Sequence, residues 1–142
     1  MAYTSTRREA RERALTLAYE LDQRSISADQ LLEGLPLPAD PYAQHLVRGI
    51  DAHAPELDAL LNEHAKNWSI ERMPVIDRTL LRLATFELVH ETELATGVVI
   101  NEAVELAKQY STKDSGRFIN GLLSRIAQVV RDEALESAEI EL

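Results

Sequence analysis

Arg7, Arg8, Arg11 and Arg13 crowd one short stretch, "TSTRREARER" (residues 4–13), of a chain whose formal net charge is -9. If the stretch is helical, three of these arginines sit in its first turns. The macrodipole is positive there, and each cation costs about 0.3–1 kcal/mol. Local helix stability therefore does not account for them. At about 100° per residue, Arg8, Arg11, Leu15 and Tyr19 form one ridge, with Arg7 beside Arg11 and Arg13 turned nearly the opposite way. A planar, multiply donating guanidinium array suits phosphates and stacked bases. The competing reading is a solvated face with Arg8–Glu12 and Glu9–Arg13 pairs, each contributing about 0.2–0.5 kcal/mol.

A second cationic group lies far along the chain. "KQYSTKDSGRF" sets Lys108, Lys113 and Arg117 around a helix–turn–helix junction, with Tyr110 and Phe118 interleaved. Cations and aromatics at a helix start suit single-stranded RNA, which offers phosphates and unstacked bases together. Both aromatics also fall on apolar stripes, so core packing competes for them. Asp114 reads first as the cap of the last helix, worth about 1 kcal/mol against alanine. Gly121 falls inside that helix at a cost of about 0.5–1 kcal/mol, which implies close backbone packing there.

No catalytic constellation assembles. His45, His53, His64 and His90 show no i,i+4 pair and no HExxH arrangement, so each reads as an ordinary helix histidine and no metal is expected. Gly116 and Gly121 flank "RFIN" without a phosphate-loop lysine, which leaves nucleotide binding unsupported and calls for no cofactor. Glu102 and Glu105 read as a solvated face. The chain has no cysteine, which excludes disulfides and thiolate chemistry. The expectation is a binding protein, not an enzyme.

The elements that must position these residues are helices. Thr6 with Glu9 fits a capping box, followed by Ala10, Ala14, Leu17, Ala18 and Leu21 at helical spacing, for a helix over about 6–24. Ser27 with Gln30 caps a short second helix that Gly34 ends. "PLPADP" is a stiff connection, and Asp40-Pro41 starts a third helix with Tyr42, Leu46 and Ile50 inward. Pro55 starts a fourth and Pro74 a fifth, the latter with Ile76, Leu80, Leu83, Ala84 and Leu88 on one stripe. Gly97 separates it from a sixth, "VVINEAVELAKQY". The last buries Phe118, Leu122 and Ile126. About seven helices and no strand make one all-α domain over residues 1–130.

Charge divides the two ends. The first thirteen residues carry four arginines and two glutamates, while "RDEALESAEIEL" (131–142) carries five acids and one arginine. The latter reads as an acidic, flexible tail that either aids solubility or folds back to compete with RNA for the arginines. No apolar run approaches the roughly 18 residues of a membrane span, and no apolar stretch follows the arginines as a signal peptide requires, so a cytoplasmic protein is expected.

"INEAVELAKQYSTKDSGRFINGLLSRIA" (100–127) resembles the C-terminal signature of the transcription antitermination factor NusB family. "RREARERALTLAYELD" and "VIDRTLLRLATFEL" agree, so the resemblance runs from about Arg7 to Ile126. It implies two small three-helix bundles packed together. It further implies binding to boxA-type RNA of nascent ribosomal transcripts together with NusE, a small ribosomal subunit protein, in a complex that helps RNA polymerase pass terminators. Carried onto this chain, the RNA-binding residues are Arg7, Arg8, Arg11, Lys113, Asp114, Arg117 and Phe118. Tyr19 and Asp77 match the NusE-facing side. Two rivals stay open: a NusB-like helper domain in ribosomal RNA modification, and a protein-only scaffold with its arginines buried in a homodimer. No methyltransferase portion follows Leu142, which counts against the first.

Overall fold

The structure is a computed structural model that describes residues 6–66 and 69–140, with side chains through Arg131. It forms α1 (Arg7–Arg24), α2 (Ala28–Glu33), α3 (Pro41–Ala52), α4 (Ala54–His64), α5 (Val75–His90), α6 (Thr96–Tyr110) and α7 (Lys113–Ile140). A single 3-10 turn, Ile70–Arg72, lies between α4 and α5. No strand occurs among the described residues. No helix among them is long and apolar enough to cross a membrane.

Local chemistry sets most helix starts. The Thr6 hydroxyl accepts from the Glu9 amide at 3.1 Å, and the Thr6 amide donates back to the Glu9 carboxylate at 3.0 Å. Ser27 and Gln30 repeat this box at α2. Asp40 caps α3 by accepting from the amides of Tyr42 and Ala43, with Pro41 at the first helical position. Two expectations fail by a few residues. Gly97 lies in the first turn of α6 instead of before it; amides there have no intrahelical partner, so glycine is tolerated. The cap of α7 is Thr112, whose hydroxyl accepts from the Ser115 amide at 3.0 Å, and Asp114 sits in the first turn.

α5 is the central element. It packs against α1 and α3 on one side and against α6 and α7 on the other, with α4 bridging α5 and α7. Its buried residues, among them Leu80, Leu81, Leu83, Phe86 and Leu88, lie on more than one face, as a helix enclosed by neighbours requires. α1, α2 and α3 form one bundle, α5, α6 and α7 the other, in line with the expected paired bundles.

Glycine has its packing role at an unexpected place. A Cβ on Gly121 would meet only the Arg125 guanidinium, at 3.5 Å, so no backbone approaches there. At Gly49 of α3 a Cβ would lie 2.3 Å from the Phe86 ring. That glycine lets α3 settle onto α5.

α7 also closes the ends of two earlier helices. Arg125 donates to the carbonyl of His64 at the end of α4, at 3.2 Å. Arg131 donates to the carbonyls of Glu87, Leu88, Glu91 and Leu94 and to the Thr96 hydroxyl. Orphan carbonyls carry the negative end of the helix dipole, so a guanidinium satisfies both their hydrogen bonding and their charge. Arg131, expected to open a flexible tail, is thus docked. The five acids of that expectation lie beyond it, at side chains outside the described residues.

Candidate RNA-binding and partner surfaces

Because α1 faces α5 and α6, its arginines divide according to the neighbour each one meets. Arg11 points inward: only 5% exposed, it donates to both oxygens of Glu87 on α5 at 2.8–3.1 Å. Tyr42 on α3 donates its hydroxyl to the same carboxylate. Burial alone would lower the Arg11 pKa, but the Glu87 carboxylate outweighs it and holds the guanidinium above its ordinary value. Burial, then the bond to Glu87, pushes the Tyr42 hydroxyl up as well. The expected open ridge of Arg8 and Arg11 is therefore broken. Arg11 joins three helices and does not face solvent.

Arg7 and Arg8 remain on the surface. The Arg7 guanidinium lies 3.7 Å from the centre of the Tyr42 ring, a cation–π contact that leaves its edge available. Arg8 does not pair with Glu12 but reaches α6, where its fork meets both Glu102 oxygens at 2.8 and 3.0 Å. Glu102, expected to be solvated, is mostly covered by this contact. Its carboxyl is held below the usual range, first by the hydrogen bond from Arg8. Glu12 instead accepts from the Tyr110 hydroxyl at 2.6 Å, which raises that hydroxyl's pKa. Tyr110 is accordingly exposed and polar in its contacts, not a core residue.

These contacts join the two cationic groups. Arg8, Glu105, Leu106, Lys108 and Gln109 line one open cleft of about 250 Å³. The Lys108 stem passes close over Gly116 of α7, whose Cβ position is 3.5 Å from it. From there the first turn of α7 presents Lys113, Asp114 and Arg117, all exposed, with Arg117 donating to Asp114 at 3.1 Å. One face thus runs from Arg7 and Arg8 across the end of α6 to the start of α7, with aromatic Tyr110 in its middle.

Beside this face lies a second cleft of about 280 Å³, lined by Met73, Pro74, Asp77, Thr112, Asp114, Ser115 and Phe118. Asp77, expected on a partner surface, is only 4% exposed. It accepts from the Ser115 hydroxyl at 2.7 Å, while its other carboxylate oxygen is buried without a hydrogen-bond partner. Phe118 is partly buried against the core and forms a wall of the same cleft. The structure therefore brings Asp77 and Phe118 together, although the sequence reading assigned them to different partners. Tyr19 stands apart on α1, 41% exposed. Glu87, Tyr42, Glu102 and Arg131 carried no signal in the sequence, because each is recognised only through a partner remote in the chain.

The geometry has counterparts among known proteins. Residues 8–128 match the NusB family model. The transcription antitermination protein NusB of Salinispora arenicola is 45% identical over 129 residues, covering 86% of this chain and 95% of that protein. Its namesake in Kineococcus radiotolerans is 40% identical over 129 residues, covering 88% and 95%. Among solved structures, a T. maritima NusB superposes with a TM-score of 0.82 at 35% identity, covering 94% of this chain and 99% of that one. A crystal structure of antitermination factors NusB and NusE in complex with double-stranded RNA gives 0.75 at 30% identity, covering 87% and 96%. With the helices, their order and nearly the full length of the chain in agreement, this protein belongs to the NusB family.

Proposed function

We propose that this chain is a transcription antitermination factor that binds boxA-type RNA of nascent ribosomal transcripts together with NusE and helps RNA polymerase pass terminators. It acts by binding and carries out no catalysis. The observation that carries this reading is the continuous face from Arg7 and Arg8 through Lys108 and Tyr110 to Lys113 and Arg117. Guanidinium and ammonium groups meet the phosphates, and exposed aromatic rings offer stacking surface to unpaired bases. Tyr19 and the Asp77 cleft are the NusE side of this reading. In this reading a partner would dock over the cleft mouth, and Asp77 would act by holding Ser115 in the cleft wall.

Acids are interleaved with the cations: Glu102 holds Arg8, Glu105 lies 3.5 Å from Lys108, and Asp114 holds Arg117. Solvent screens the cation of each pair, so RNA can displace these acids at low cost, but isolated affinity stays modest. The test is RNA binding by the Arg7→Ala/Arg8→Ala double variant over a salt series. Affinity should fall, and the log–log salt slope should shrink by about 0.7 per lost phosphate contact. Unchanged affinity and slope in a folded variant would remove the RNA assignment from this face.

A further inference from the structure

Three of the four histidines in the chain gather around one ring. His45, His53 and His90 lie with centroids 5.6, 6.0 and 5.1 Å from that of Phe86. The cluster sits where α3 turns into α4 and where α5 ends, so three helix termini deliver its members. His53 ends α3, Glu56 is in the first turn of α4, and His90 is the last residue of α5. The His53 and His90 rings are 4.1 Å apart. Both turn a nitrogen toward one carboxylate: His53 Nδ1 is 3.2 Å from one Glu56 oxygen, and His90 Nε2 is 3.6 Å from the other. The three donor atoms all lie within 4.8 Å of one another.

We propose that His53, Glu56 and His90 bind a divalent transition-metal ion of the zinc type, with water completing the shell. Two imidazole nitrogens and one carboxylate oxygen form a donor set that zinc accepts at about 2.0–2.2 Å, which sets the donors of a tetrahedral shell about 3.3 Å apart. Each imidazole nitrogen is already near that spacing from a different Glu56 oxygen, and a set sharing one oxygen spans no more than 4.8 Å. The nitrogen–nitrogen separation closes by side-chain rotation, which these partly exposed residues can make. Imidazole donors disfavour magnesium and calcium, which take oxygen. The ion would tie the α3–α4 junction to the end of α5, using none of the residues placed on the RNA face. The sequence hides the site because its two histidines are 37 positions apart, with no spacing motif between them.

The test is a titration of the full chain with Co(II), read by its visible ligand-field absorption, and with Zn(II), read by the thermal midpoint. One Co(II) per chain should produce an absorption band that Zn(II) displaces, and saturating Zn(II) should raise the midpoint. His53→Ala and His90→Ala should each weaken Co(II) binding by about tenfold or more, while His64→Ala leaves it unchanged. Glu56→Gln keeps the side-chain shape and should also weaken binding, so the result does not depend on a histidine variant folding. No band in the folded chain would overturn the site, as would binding that survives all three substitutions.

Discussion

Arg8 and Arg11 sit three residues apart on one helix, yet their energetics differ in kind. Arg11 and Glu87 are both removed from water, so deleting one partner leaves the other charged and unsatisfied. Arg11→Ala should therefore cost about 3–5 kcal/mol in urea unfolding. Arg8 is half exposed, and Arg8→Ala should leave urea stability nearly unchanged while weakening RNA binding. Glu102 occupies the Arg8 fork that a phosphate would take, so Glu102→Gln should tighten RNA binding, measured by fluorescence anisotropy at low salt. If affinity falls instead, Glu102 positions Arg8 for RNA and does not compete with it. The sign of the pH effect follows from the depressed Glu102 pKa. The carboxylate stays charged above its unfolded pKa, and the pair is lost only as pH falls through the lower folded value. Competition for Arg8 is thus constant around neutral pH. Periodicity placed these arginines on the right arc of α1, but Glu87 lies 76 positions from Arg11. A helical wheel carries no information about what packs against it. Asp77 illustrates the same limit: its type and position were legible, its burial beneath Ser115 was not.

Helix ends were the most legible elements because their chemistry is local. The boxes at Thr6 and Ser27 and the Asp40–Pro41 start each use side chains within three residues of the amide they satisfy. Thr112 and Asp114 are both good caps by type, and the choice between them depends on where the preceding turn points the chain. Thr112→Ala should cost about 1 kcal/mol, and Asp114→Ala much less, by thermal or urea unfolding. The C-terminal ends of α4 and α5 were illegible, since Arg125 and Arg131 reach them from α7. Truncation after Val130 should destabilise the protein by about 1–3 kcal/mol through the stranded carbonyls, whereas truncation after Arg131 should not. Equal stability of the two truncations would mean that water serves those carbonyls as well as the guanidinium does.

At the scale of the molecule, α5 is the element that both bundles share, and Gly49 sets how closely α3 approaches it. Gly49→Ala should push the Phe86 ring aside and cost about 1–3 kcal/mol, visible as a lower thermal midpoint. The all-α class and the paired bundles were readable from helical stripes and short connections. The histidine cluster was not, because it exists only once α3, α4 and α5 have met. The two arginines of α7 also order events in time. During synthesis α4 and α5 leave the ribosome with open C-terminal carbonyls, and the groups that close them are translated 61 and at least 43 residues later. The first bundle can begin to assemble while the chain grows, as N-terminal segments do. The second waits for release. A nascent chain stalled before Arg125 should therefore be cut by protease within α4 and α5, although the residues forming both helices have already emerged.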